Sequence, residues 1–182
     1  CGGKHSFYNL AQAIFDQGDE GIIPAPYWVS YPAMVALADA APVILETREE
    51  NGFKITPEDL KRAITPRTKA LVINSPSNPT GSAYIKEELE KIAEIAISHN
   101  FFIISDEIYE KIIYDDFKFI SIAALGEEIK KRTIIVHGMA KTYAMTGWRI
   151  GYTAGPEEII SAMNNIQSQS TSNPTSIAQK AS

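Results

Sequence analysis

Short apolar runs alternate along the chain with stretches whose apolar residues recur at helical spacing. The runs Ile22–Ile23, Val43–Leu45, Ala70–Ile73, Phe101–Ser105, Thr133–Val136 and Ile150–Ala154 predict strands. Phe101-Phe102-Ile103-Ile104 is apolar at every position, the pattern of a strand covered on both faces. Leu89, Ile92, Ala93 and Ala96 mark one face of a helix over Lys86–His99, and Ser6 to Phe15 is amphipathic. Thr56-Pro57-Glu58 reads as a helix start, with a capping hydroxyl, a proline in the first turn and an acid near the N-terminus. Gly155-Pro156-Glu157-Glu158 begins another helix in a similar way. This alternation predicts an α/β fold, a three-layer α/β/α arrangement around a mostly parallel sheet. The chain has no internal repeat and no low-complexity linker, so residues 1–182 read as one domain.

The layout says where to look for chemistry. In open α/β sheets, ligands bind outside the carboxyl ends of the strands. Asn74-Ser75-Pro76, Asp106 and His137-Gly138-Met139-Ala140-Lys141 each follow a predicted strand.

Composition narrows the class. Apolar residues make up 45% of the chain and charged residues 21%, as in a soluble globular protein. The net charge of −5 is scattered, which gives no basic face for nucleic acid. No apolar run is long enough to span a membrane. The single cysteine, Cys1, cannot form an internal disulfide, so a cytoplasmic location is the expectation. The chain begins without Met and stops in a polar, helix-like stretch, and we expect a piece of a longer protein.

Several residues stand out one at a time. Gly2-Gly3-Lys4 precedes an amphipathic run, and glycines at a helix start expose N–H groups that can bind phosphate; the alternative is an ordinary loop. In Ser75-Pro76-Ser77-Asn78-Pro79-Thr80-Gly81, two prolines hold Asn78 in a rigid turn, which is either structural or a fixed amide for a ligand. Asp106 ends an apolar strand and needs a partner, either a cap or salt bridge or a cationic ligand nitrogen. Tyr109 reaches the same place if the chain turns helically. Lys141 and Arg149 flank a segment containing Trp148; each is a surface charge or, for Arg149, a bidentate phosphate clamp. Trp28 is by default a partly buried packing residue. His5, His99 and His137 show no paired spacing, so no metal site is expected, and no Gly-x-Ser-x-Gly elbow or Walker motif appears.

Taken in order, Ser75–Gly81, Ser105-Asp106-Glu107-Ile108-Tyr109 and Ala140-Lys141-Thr142-Tyr143-Ala144-Met145-Thr146-Gly147-Trp148-Arg149-Ile150-Gly151-Tyr152 resemble the class I aminotransferases of pyridoxal-phosphate (PLP) fold type I. The bacterial aspartate aminotransferase branch shares two further pieces, present here as Gly2–Lys4 and Pro26–Pro32. The resemblance covers essentially the whole chain and implies the large PLP-binding domain. It implies that Lys141 holds pyridoxal 5'-phosphate as a Schiff base and later moves a proton. Asp106 would pair with the pyridine nitrogen, Tyr109 and Asn78 with the phenolic oxygen, and Arg149 with the N–H groups of Gly3 and Lys4 would bind the phosphate. Trp28 would stack on the ring and, with Asn78 and Lys4, meet the substrate. Many relatives place a phosphate-binding serine where this chain has Gly138, which puts one phosphate contact in question.

The implied activity is transfer of an amino group from an amino acid, aspartate first, to a 2-oxo acid such as 2-oxoglutarate. The alternatives are a PLP-dependent carbon–sulfur lyase and a non-catalytic, aminotransferase-like sensor domain of a transcription regulator. The resemblance further implies a homodimer, and a small domain beyond this stretch whose arginine grips the substrate carboxylate. On that ground residues 1–182 by themselves are expected to be inactive.

Overall fold

The computed structural model describes all of residues 1–182. Six strands form one sheet: β1 (Glu20–Ala25), β2 (Ala41–Glu46), β3 (Thr68–Asn74), β4 (Phe102–Asp106), β5 (Thr133–Gly138) and β6 (Gly151–Ala154). Their order is β2-β1-β3-β4-β5-β6; the first five are parallel and β6 runs antiparallel to β5. Each predicted run lies in or overlaps one of these strands. The bounds moved where pairing, and not apolarity, decides the end. Polar Asn74 and Asp106 close β3 and β4 as partners in the ladder, while Phe101 and Ile150 fall just outside their strands.

Helices cover both faces. The helices α1 (Gly3–Ile14), α2 (Ser30–Ala36) and α6 (Glu157–Ser168) pack on one side, and α3 (Pro57–Ala63), α4 (Lys86–His99) and α5 (Glu127–Lys130) on the other. The strands supply both cores by alternation. Ile23, Val72 and Ile104 face Phe7, Leu10, Val35 and Met163, while Ile22, Leu71, Ile73 and Ile103 face Leu60, Leu89, Ile92 and Ala96. Most of these side chains are fully buried, and each such Leu, Ile or Phe contributes roughly 1.5–3 kcal/mol of transfer free energy. The sequence sees the α4 face because its buried positions keep the helical period.

Thr56 caps α3 as expected: its Oγ1 accepts the Asp59 N–H at 3.1 Å. Two helix starts differ from the sequence reading. Pro156 precedes α6 without any side-chain cap. The helix predicted from Ser6 begins at Gly3, because Gly2 takes a positive φ of 86° and its carbonyl accepts from His5 and Ser6. No helix is long and apolar enough to cross a membrane.

Candidate active site

The carboxyl ends of the parallel strands share one rim. Because β6 runs the other way, its beginning lies at that rim too. The turn after β1 carries Trp28 and leads into α2 with Tyr31; β3 delivers Asn74 and Asn78; β4 delivers Asp106 and Tyr109; β5 leads to Lys141; Arg149 stands just before β6. Together with Gly3 and Lys4 of α1, these residues line one cavity of about 260 Å³. Every site residue named from the sequence is therefore in the same place: Gly3, Lys4, Trp28, Asn78, Asp106, Tyr109, Lys141 and Arg149.

Asp106 is buried at the cavity floor. Its Oδ2 accepts the Tyr31 hydroxyl at 2.6 Å and its Oδ1 accepts the Ile108 N–H at 3.2 Å. Burial raises its pKa above the usual carboxylate value, and the Tyr31 hydroxyl, the Ile108 N–H and the Lys141 charge only partly offset this. Burial, reinforced by the Asp106 charge, also holds the Tyr31 phenol well above its ordinary value, so Tyr31 stays a proton donor. The carboxylate thus sits in low dielectric with no cation hydrogen-bonded to it, a site that favours a cationic ligand atom.

Asn74 braces the neighbouring turn. Its Nδ2 donates to the Asp106 carbonyl at 3.0 Å and its Oδ1 accepts the Asn78 N–H at 2.7 Å. The segment is held further by Gly81 N–H donating to the Ser77 carbonyl at 2.9 Å and Ser77 N–H donating to the Ser82 carbonyl at 2.8 Å. Asn78 is therefore positioned by its backbone, which leaves its amide free for a ligand.

The opposite end of the cavity is anion-binding in character. The first turn of α1 carries no acid and no side-chain cap, so its leading N–H groups have no side-chain partner. Arg149 lies against Gly2: a Cβ there would come within 2.8 Å of the guanidinium carbon. Arg149 holds a left-handed backbone, φ 56°, and its Nη1 donates to the Thr146 carbonyl at 2.7 Å. Gly151 completes the corner, since a Cβ on it would overlap the backbone of Gly2 and Gly3. At Gly138 a Cβ would lie 2.6 Å from the Ile150 carbonyl oxygen, so this backbone has no room for a side chain there.

Between these ends, Lys141 is exposed, with Nζ 5.7 Å from the centre of the Tyr109 ring. Lys4 extends its Nζ to 5.0 Å from the Trp28 ring, which meets Tyr31 edge-on at 5.2 Å. The sequence reading gave no role to Tyr31 or Thr146, and it marked Asn74 only by its place after a strand. Tyr31 sits within Pro26–Pro32, so position alone could have flagged it; the partners of Tyr31 and Asn74 become visible only in three dimensions. No three His, Cys, Asp or Glu residues are grouped to hold a metal ion.

The family described as aminotransferase class I and II matches residues 1–182. An aspartate aminotransferase of Geobacillus stearothermophilus is 59% identical over 180 residues, covering 99% of this chain and 46% of that relative. An aspartate/prephenate aminotransferase of Cereibacter sphaeroides is 55% identical over 181 residues, with 99% and 45% covered. The solved structure of the Thermus thermophilus aspartate aminotransferase with maleate superposes with a TM-score of 0.94 at 53% identity, over 99% of this chain and 46% of that one. The chain thus spans about half the length of the curated relatives it matches.

Proposed function

Because this chain belongs to the class I and II aminotransferases, we propose that its cavity holds pyridoxal 5'-phosphate and that the whole protein moves an amino group from an amino acid, aspartate first, to a 2-oxo acid such as 2-oxoglutarate. One observation carries the reading. A primary amine, a buried carboxylate and a cap-free helix start beside a guanidinium line one cavity: the nucleophile, the acceptor and the donors that an aldehyde, a protonated pyridine nitrogen and a phosphate require.

When bound, the cofactor supplies an electron sink for the charge that develops at the substrate α-carbon. The chain's residues do the rest. Lys141 Nζ would hold the cofactor covalently and, once displaced by the substrate amine, carry the proton to and from the α-carbon. Asp106 would keep the ring nitrogen protonated; its buried carboxylate gains a cation, which offsets the cost of burying it. Tyr109 and Asn78 would donate to the phenolic oxygen. Arg149 and the N–H groups of Gly3 and Lys4 would bind the phosphate without help from position 138, where the backbone leaves no room for a side chain. Trp28 would cover the ring.

Lys4 supports an acidic substrate. Its ammonium stands over Trp28 at the cavity wall, within the set of residues that would meet a second carboxylate. The relative solved with maleate, a dicarboxylate, is consistent with this. Residues 1–182 would form the large cofactor-binding domain, and the resemblance assigns a second copy of the chain as partner.

The test uses the protein from its complete gene. Borohydride reduction in the presence of PLP, followed by peptide mapping, should place the pyridoxyl group on Lys141, and aspartate with 2-oxoglutarate should give oxaloacetate and glutamate. Label on another lysine with Lys141 unmodified overturns the assignment. Elimination products in place of the oxo acid overturn the reaction class.

A further inference from the structure

The side-chain amide of Asn74 joins two separate parts of the site. Its Oδ1 accepts the Asn78 N–H, in the turn after β3, at 2.7 Å, and its Nδ2 donates to the main-chain carbonyl of Asp106, at the end of β4, at 3.0 Å. Chemistry fixes which way round the amide lies. A peptide N–H only donates and a carbonyl only accepts, so a reversed amide would satisfy neither partner. The bridge needs a donor and an acceptor in one short side chain; an ionised aspartate lacks the donor and a leucine lacks both.

Strand register puts Asn74 where it can do this. It is the last residue of β3 and pairs with Asp106, the last residue of β4. Ser75 N–H reaches the same Asp106 carbonyl at 3.3 Å, and beyond it the chain leaves the sheet. The next bonds close within the segment: Ser77 N–H to Ser82, Gly81 N–H to Ser77, and Tyr84 N–H to the Ser75 hydroxyl. They fix the shape of the turn but not its place on the sheet. The Ser82 hydroxyl ties the far limb to the Gly52 carbonyl, and Asn74 ties the near limb, at Asn78 itself, to β4. Asn74, Asn78 and Asp106 all line the cavity.

We propose that Asn74 is a positioning residue that sets the Asn78 amide at a fixed place relative to Asp106, and so fixes the span between the groups that meet the phenolic oxygen and the ring nitrogen. This rests on the reading that the cavity holds PLP with Asn78 at the phenolic oxygen. Asn74 acts through Asn78 and Asp106. Without the bridge the turn keeps its internal bonds, but the Asn78 amide loses its register to the ring. A hydrogen bond weakens steeply as its distance and angle depart from the optimum, so a small displacement forfeits most of it. The loss is selective: it falls on the phenolic oxygen and spares the phosphate, whose proposed partners Gly3, Lys4 and Arg149 stand at the opposite end of the cavity.

The full-length protein is compared with Asn74→Leu, which keeps the branched shape and removes both bonds. Fluorescence titration gives Kd for PLP and for an analogue that carries hydrogen in place of the phenolic hydroxyl. Asn74→Leu should bind PLP about tenfold more weakly, the size of one net hydrogen bond, and the analogue less than about twofold more weakly. In an Asn78→Ala background the same substitution should change PLP binding little, because the group it positions is gone. Hydrogen exchange at the Asn78 N–H should be slow in the wild type and about tenfold faster in Asn74→Leu. Equal losses for PLP and the analogue, losses that multiply in the double variant, or an unprotected Asn78 N–H in the wild type would each overturn the proposal. If Asn74→Leu does not fold, Asn74→Ala repeats the comparison, and exchange in the wild type still tests the bridge. Should the wild type bind neither ligand, the PLP reading fails and the role at the phenolic oxygen with it, while exchange at Asn78 still decides whether Asn74 holds the turn to β4.

Discussion

Tyr31 donates its hydroxyl to Asp106 Oδ2 at 2.6 Å from a ring that is itself only 2% exposed. The ring is clamped between Phe7, 4.9 Å away, and the edge of Trp28, so the hydroxyl has little freedom to leave. The bond supports the charged form of Asp106 against burial, which works the other way.

Tyr31→Phe keeps the packing and removes the donor. We expect a loss of about 1.5 kcal/mol in urea unfolding at neutral pH and a further rise in the Asp106 pKa. An unchanged unfolding midpoint would show that the carboxylate finds another donor.

Without cofactor, Asp106→Asn should stabilise the protein at neutral pH. Burial places the folded-state pKa of Asp106 above its ordinary value of 3.8, so the folded chain binds this proton more tightly than the unfolded chain. The protonated group's contribution is fully present below that ordinary value and is lost as the pH rises through the elevated one. The stability difference between variant and wild type should therefore grow across that window and level off above it, as read by denaturant unfolding at a series of pH values. PLP should reverse the order, because only the wild type offers its nitrogen an anion.

Gly151→Ala should damage phosphate binding in particular. Its Cβ would overlap the Gly2–Gly3 backbone, and backbone yields less than a flexible side chain. Overpacking of about 1–3 kcal/mol predicts roughly tenfold weaker binding of PLP, with pyridoxal, which lacks the phosphate, affected less. Equal losses for both ligands in fluorescence titrations would place the effect elsewhere.

Lys4→Ala should lower kcat/KM for aspartate about tenfold more than for an aromatic donor, the scale of one charged hydrogen bond. Lys4 is exposed, with its ammonium over the Trp28 ring, so its loss should leave the fold intact. A uniform loss across donors in steady-state kinetics would confine Lys4 to the phosphate.

Much of this molecule is written in local pattern. Six strands and the α4 helix are legible because each must bury a periodic set of side chains: period two between two helical layers for Ile22, Ile23, Leu71 and Val72, and the helical period for Leu89, Ile92, Ala93 and Ala96. The Thr56 cap is legible because donor and acceptor lie three residues apart. The position of Asp106, Asn78 and Lys141 at one rim followed from their coming after strands of a parallel sheet. What the pattern could not carry is any relation between elements distant in sequence. Tyr31 and Asp106 are 75 residues apart, Asn74 and Asp106 are 32, and neither pairing leaves a periodic trace. The start of α1 was misplaced because a glycine with positive φ, and not an apolar stripe, decides it. The close approaches of Gly138 and Gly151 depend on the antiparallel pairing of β5 with β6, which a run of apolar residues does not encode. Residue types and their order thus determined the layers and the members of the site, while the tertiary structure decided their partners, because hydrogen bonds and steric contacts act across space and not along the chain.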